Sequence, residues 1–303
     1  MELSLTDSMA EGLGEALGAG GERERFTVGG GGYGGGGGAS VGTIVDKVTG
    51  DKYFYKMARG SDGSMLAAER AGLKAMHEAG AIRVPKPICG GTTAGGACSY
   101  AVFEYLNMGG QSSVEKAELM GVQLAQMHRS FSPNGKYGFD IDNTIGATPQ
   151  PNGWKDTWAD FWVDRRLKHM IKLSERDGAV FPDKEKVISK TRDILSTHKA
   201  KPSLVHGDLW GGNQGFVAPA NDPVIFDPAT YYGDREVDIA MTHVFGGFSA
   251  GFYRGYEKEW PLEPGHEQRQ TVYNLYHMLN HFVLFGGGYL SSSQRMMGQI
   301  LQL

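Results

Sequence analysis

Apolar residues recur at two different spacings along this 303-residue chain, and the change of period separates strand-rich from helix-rich stretches. Leu5, Met9, Leu13 and Leu17 share one helical face, which predicts a short amphipathic helix in residues 1–21, a docking helix or a loose tail, ended by a glycine-rich break at 18–21. Strand-like runs follow at Arg25 to Val28, Thr43 to Val48 and Lys52 to Met57. A glycine run from Gly29 to Gly38 lies between the first two, and a Thr-Gly-Asp turn between the last two. Leu66, Glu69, Leu73 and Met76 then mark one face of a helix that Gly80 stops, and Ile82 to Ile88 reads as extended, fixed by Pro85 and Pro87. Ala101 to Leu106 is a further strand, running into Asn107, Met108, Gly109 and Gly110: the shape of a hinge, or of a plain strand end.

Beyond that point the helical period dominates. Ala117, Met120, Gly121, Leu124 and Met127 share a face, as do Val187, Ile188, Ile194 and Leu195. Thr271 to Phe285 is read as the final helix, with Val272, Leu275, Tyr276, Leu279, Phe282 and Val283 together. The organisation is therefore a helix or tail at 1–21, a first lobe at 22–107 and a larger, mostly helical lobe at 108–303.

Composition narrows the class without choosing a function. A content of 40% hydrophobic and 21% charged residues describes a globular chain, and a net charge of −4 with no basic stripe argues against a nucleic-acid partner. Cys89 and Cys98 are too few for a disulfide framework or a structural zinc site, which fits a reducing compartment, expected to be the cytoplasm or, in a plant or alga, the plastid. No run approaches eighteen apolar residues, so no membrane partner is expected, and early acids with no early Arg or Lys disfavour a transit peptide.

The chemistry concentrates in Leu204 to Asn213, LVHGDLWGGN. His206, Asp208, Leu209 and Asn213 stand at the offsets of a phosphotransferase catalytic loop, in which the Asp accepts the proton of the attacking hydroxyl and the Asn holds magnesium. Val224 to Phe226 then reads as a short buried strand delivering Asp227, where a kinase carries its second metal-binding acid. Glu69 sits in the apolar stripe of its helix, and a buried carboxylate needs a partner; Lys56, on the strand face opposite Tyr53 and Tyr55, is the candidate, unless the helix turns Glu69 outward. Gly36, Gly37 and Gly38 are the candidates for covering a phosphate with backbone amides, although so long a glycine run is equally the composition of a linker. The backbone of Glu104 and Leu106 could bond an adenine edge at the hinge.

Three further features have bland alternatives. Trp154, Trp158 and Trp162 beside Arg165 and Arg166 could line a sugar but are more simply core, and His128 reads as a packed or capping residue. His277 and His281 lie one turn apart with no third ligand at a useful spacing, so a metal reading is discounted.

YFYKMA, AAERAGLKAM, IRVPKP, DNTIGATPQPN, LVHGDLWGGN, DPATYYGDREVDIAM and LYHMLNH with LFGGGY together resemble the fructosamine kinase, or ketosamine 3-kinase, family within the aminoglycoside-phosphotransferase branch of the protein-kinase-like fold. The resemblance covers nearly everything from Phe26 onward. It implies an α+β fold of two lobes, with an antiparallel N-terminal sheet and one main helix, then a mostly helical C-terminal lobe. It also implies phosphorylation, by ATP with Mg2+, of the third-carbon hydroxyl of a free or protein-bound ketosamine, whose 3-phosphate eliminates and frees the amine. By position, Asp208 would be the base, Asn213 and Asp227 the magnesium ligands, Lys56 the phosphate-binding lysine and Glu69 its partner. Trp210 and Tyr232 would bear on the sugar, and Asp238 would hold the loop backbone. Many members carry a cysteine after the loop glycines, linked to redox-controlled dimerisation; Ala39 and Ser40 stand here, so a monomer without that switch is expected. DNTIGATPQ looks most like plant and algal members, which points to ribulosamine or erythrulosamine over fructosamine. Competing readings are a kinase for an aminoglycoside, choline or methylthioribose, and a kinase-like scaffold without activity, although a scaffold has no need of the complete residue set. A protein kinase is disfavoured, because no APE segment follows Asp227.

Overall fold

The computed structural model describes residues 5–20, 23–29, 32–33, 39–59, 63–93 and 98–303. Gly36, Gly37 and Gly38, the phosphate candidates of the glycine run, lie outside them. The chain packs as two compact units: residues 1–111 with 215–227, and residues 112–214 with 228–303. A single boundary after residue 107 therefore misplaces one segment, since 215–227 packs with the first unit. Long-range hydrogen bonds tie it there: Gly110 N–H donates to the Phe216 carbonyl, Ala218 N–H to the Asn107 carbonyl, and Ile225 N–H to the Arg83 carbonyl.

The first unit is built on an antiparallel sheet of β1 (Phe26–Val28), β2 (Gly32–Tyr33), β3 (Ser40–Asp46), β4 (Lys52–Arg59), β5 (Pro87–Thr92) and β6 (Cys98–Glu104). Its order is β1-β3-β4-β6-β5, with β2 paired to β3. Alternation along β4 sends Tyr53 and Tyr55 to one face and Phe54 and Lys56 to the other. The tyrosine face is covered by α1 (Leu5–Ala16), which buries Met9, Ala10 and Leu13 among Phe26, Ile44, Tyr55, Tyr100 and Val102, and Tyr100 Oη donates to the Ser8 carbonyl. Residues 5–16 form a docked helix rather than a loose tail; of the expected stripe Met9 and Leu13 are buried, while Leu17, past the helix end, is 40% exposed. On the Lys56 side runs α2 (Gly63–Ala79), with Leu66, Leu73 and Met76 fully inward, as their spacing requires. A hairpin of β10 (Gln214–Val217) and β11 (Asp222–Ile225) completes the unit.

The second unit is mainly helical: α3 (Val114–Met127), α4 (Trp158–Phe161) continuing through a π-helical turn (Trp162–Leu167) into α5 (Lys168–Arg176), α6 (Lys184–Thr197), α7 (Glu236–Thr242), α8 (Ala250–Glu259), α9 (His266–Phe285) and α10 (Tyr289–Ile300). The last of these corrects the expectation that the helix ending at Phe285 is final. Two short ladders interrupt the helices: β7 (Asn143–Ile145) with β8 (Thr148–Gln150), and β9 (Ser203–Val205) with β12 (Tyr231–Gly233), which places Tyr231 opposite Val205. The core gathers Phe161, Trp162, Leu167, Val205, Tyr273 and Leu279. Where α3 meets α8, backbones touch: a Cβ at Gly121 would collide with the Phe252 carbonyl, and one at Gly255 with the Glu118 carbonyl.

Candidate active site

Lys56 is the meeting point of the first unit's charges. Its Nζ lies 2.7 Å from Glu69 Oε1 and 2.6 Å from Asp227 Oδ1, so the partner assigned from the helix stripe is the one it has, and Asp227 joins it. Burial alone would pull the Lys56 ammonium down; the two carboxylates outweigh it and hold it above its ordinary range. Burial, against the pull of Lys56, pushes the Glu69 carboxyl up. Asp227 leaves β11 in a left-handed conformation, φ 55°, uncommon for a residue with a side chain and a mark of a turn fixed by its surroundings.

These three groups line a cavity of about 230 Å³ whose walls are otherwise mostly apolar: Val41, Phe54, Leu73, Phe103, Leu106 and Met108 among them. An apolar cavity with a fixed ammonium at one side suits an aromatic base joined to phosphates. Leu106 lines this cavity. Glu104 lines it too, but its amide already donates to the Lys86 carbonyl at 2.8 Å and its carboxylate holds Arg83 at 2.6 Å. The Glu104 N–H is therefore not a donor for an adenine edge.

The second unit holds the catalytic loop. Strand β9 ends at Val205, and the chain turns at Gly207, φ 83°, where a Cβ would collide with the Ala229 carbonyl; glycine is needed for both reasons. The turn is held from below by Asp238 on α7: Oδ2 accepts the His206 N–H at 2.7 Å and Oδ1 the Gly207 N–H at 2.8 Å. Asp238 is thus the backbone anchor foreseen for it. A buried chain supports it in turn, with Arg235 donating to Tyr256 Oη, Tyr256 beside His128 Nδ1 at 2.7 Å, and His128 Nε2 at 3.0 Å from Asp238. Burial would raise the Asp238 carboxyl, but His128 and the loop amides more than offset it and keep it below the usual carboxylate range. His128 is a packed residue, as read, and it also orients the anchor.

Asp208 follows, its N–H donating to His206 Nδ1 at 3.2 Å. Asn213 Nδ2 donates to the Asp208 carbonyl at 2.9 Å and reaches Asp208 Oδ2 at 3.5 Å, so the two polar residues of the motif are locked together across a five-residue loop. That arrangement presents a carboxylate beside an amide on a rigid turn, which is what a base for a hydroxyl requires.

Trp210 and Tyr232, paired by the resemblance as substrate residues, belong to different ring clusters. Trp210 is 39% exposed and meets Phe245 edge-on at 6.4 Å; Phe245 in turn packs on His281 at 4.6 Å. Tyr232 stacks on Trp154 at 6.1 Å and lies near Phe139. The tryptophan run separates accordingly: Trp158 and Trp162 are core, while Trp154 joins Tyr232. Arg166, considered beside a sugar, is wholly buried instead, with its guanidinium over the Tyr231 ring at 4.2 Å and its Nη atoms donating to Pro151 O and Asn152 Oδ1. His277 is buried and His281 Nδ1 donates to the His277 carbonyl at 2.8 Å; among the described residues neither belongs to a cluster of three metal-ligating side chains. Among the described residues the acidic and histidine side chains that do converge are His198, Asp234 and Glu236, but Arg269 closes on Glu236 with two hydrogen bonds and Tyr273 on Asp234.

The fructosamine kinase family model matches residues 28–303. A Synechocystis protein designated a probable ketoamine kinase is 48% identical over 252 residues, 83% of this chain and 84% of its own. The chloroplastic protein-ribulosamine 3-kinase of Arabidopsis thaliana is 39% identical over 254 residues, 83% and 76% of the two chains. A Haemophilus somnus crystal structure, of a candidate fructosamine-3-kinase, superposes with a TM-score of 0.86 at 30% identity over 97% of this chain and 96% of that one. An aminoglycoside phosphotransferase, APH(4)-Ia, shares the fold at a TM-score of 0.58 and 14% identity, covering 96% and 97%.

Proposed function

The chain belongs to the fructosamine kinase family and is a phosphotransferase acting on a hydroxyl group, and on that premise we propose that it moves the terminal phosphoryl group of ATP to the third-carbon hydroxyl of a ketosamine. Asp208 takes the hydroxyl proton as the oxygen bonds to phosphorus and the bond from phosphorus to the ADP oxygen breaks. Lys56, steadied by Glu69, holds phosphate oxygens as charge builds on them. Asn213 and Asp227 offer amide and carboxylate oxygens, the hard donors that magnesium takes, and a bound Mg2+ would supply neutralising charge to the phosphates. The ketosamine 3-phosphate then eliminates phosphate and frees the amine, which makes the reaction one of deglycation.

The observation that carries this reading is the Asp208 and Asn213 turn, anchored by Asp238 through the His206 and Gly207 amides. Ribulosamine or erythrulosamine is the proposed sugar, on protein amines as well as free ones, with Trp210 as the apolar wall for the sugar and Tyr232 as a second contact. A reducing compartment, cytoplasm or plastid, and a monomeric state complete the reading. Steady-state turnover on ribulosamine, erythrulosamine, fructosamine and an aminoglycoside at equal concentration tests it. Ribulosamine turned over at least about tenfold faster than fructosamine is expected; turnover of the aminoglycoside alone would overturn the acceptor assignment.

A further inference from the structure

Helix α2 has a second polar face. Arg70, Lys74 and His77 line one side of a groove of about 550 Å³, and Lys86 with the start of β5 lines the other; Glu78 is the one acid on its walls. Glu78 is engaged only loosely, 3.8 Å from Lys74, with both side chains largely exposed. The groove therefore carries net positive charge in a chain whose formal charge is −4.

Arg70 is the informative member. Its Nε is buried with no hydrogen-bond partner, and no ion pair or hydrogen bond to its guanidinium is present among the described residues. The group lies across β5 at a bare glycine: a Cβ at Gly90 would stand 2.7 Å from Nη1. Cys89, which interacts electrostatically with Arg70, supplies no compensating anion, since burial pushes its thiol up to about 11. A partly buried guanidinium without a counterion is costly, and its planar fork matches a phosphate. A volume of this size is that of a small-molecule site.

We propose that this groove is a binding site for a small, soluble phosphate-bearing ligand, held by Arg70 and Lys74 from α2 and by Lys86 from the facing segment. It is separate from the Lys56 cavity, and its occupant would bear on the helix that carries Glu69. The proposal does not depend on which hydroxyl the enzyme phosphorylates.

Calorimetric titration of pyrophosphate into the full chain presaturated with a non-hydrolysable ATP analogue and magnesium tests it, because the Lys56 cavity is then filled. One binding event is expected, weakened at least about tenfold in Arg70→Gln/Lys74→Gln and, from the other wall, in Lys86→Gln. Circular dichroism and retained turnover in each variant show that the fold survives. No binding to the saturated protein, or binding unchanged in both variants, would overturn the proposal.

Discussion

Asp238 touches no reacting atom in this account, yet it fixes where Asp208 stands, by accepting from the two amides that precede it. Asp238→Asn keeps the shape but offers only one acceptor oxygen to two donors. It should lower kcat by about 10- to 100-fold with little change in the KM for ATP, and cost about 2 to 4 kcal/mol of stability, readable by kinetics and denaturant melts. A loss confined to KM would contradict an anchoring role. His277 contributes to the acid limb of stability. Its buried imidazole is held down to about 3 from 6.5, so the neutral form is favoured by folding. The stability it contributes is complete above pH 6.5 and declines as pH falls toward 3, because the unfolded chain takes the proton first. By pH 5 the loss is about 2 kcal/mol, and His277→Gln should flatten the fall in melting temperature between pH 7 and 5. The pairing of Lys56 with Glu69 was legible from a carboxylate in an apolar helix stripe, and that of Asp208 with Asn213 from their spacing in the loop. His206 Nδ1 as acceptor for Asp208, and the chain through Tyr256 and His128, were not, because those partners meet only in the folded chain.

At the scale of elements, α1 and the crossing of α3 with α8 carry distinct predictions. Removing residues 1–20 uncovers Tyr55, Tyr100 and Val102 and forfeits burial of Met9 and Leu13, for an expected loss of about 4 kcal/mol and new binding of an apolar dye. An unchanged melting curve would return α1 to the status of a tail. Gly255→Ala forces α8 off the Glu118 carbonyl, at about 1 to 3 kcal/mol, lowering the melting temperature by several degrees while leaving the KM for ATP alone. Strand β4 and helix α2 were legible because their apolar spacing runs most of the element, whereas β3, Ser40–Asp46, begins three residues before the expected run Thr43 to Val48 and stops two short of its end. Helix α10 was not: Ser291, Ser292, Ser293 and Gln294 dilute its apolar stripe directly after three glycines. The ladders β7 with β8 and β9 with β12 are three residues a strand, too short to show a period, and the second joins positions far apart in sequence.

For the whole molecule, the first unit supplies an apolar slot with a fixed ammonium, and the second supplies a carboxylate on a rigid turn. The proposed phosphoryl transfer draws on both, the ammonium for charge on the phosphates and the carboxylate for the hydroxyl proton. Among the described residues no helix is long and apolar enough to cross a membrane. The family-level function was legible from sequence because motif spacing survives without coordinates, while the segment 215–227 was misassigned because its hydrogen bonds to Asn107, Gly110 and Arg83 are long-range. The most direct measurement is phosphorus NMR of ribulosamine incubated with ATP, magnesium and either the native chain or Asp208→Asn. The account predicts a phosphate ester at the third carbon with the native chain, and at least about a thousandfold slower appearance with the variant, which still binds ATP. An ester at another carbon, or native-rate transfer by Asp208→Asn, would contradict it.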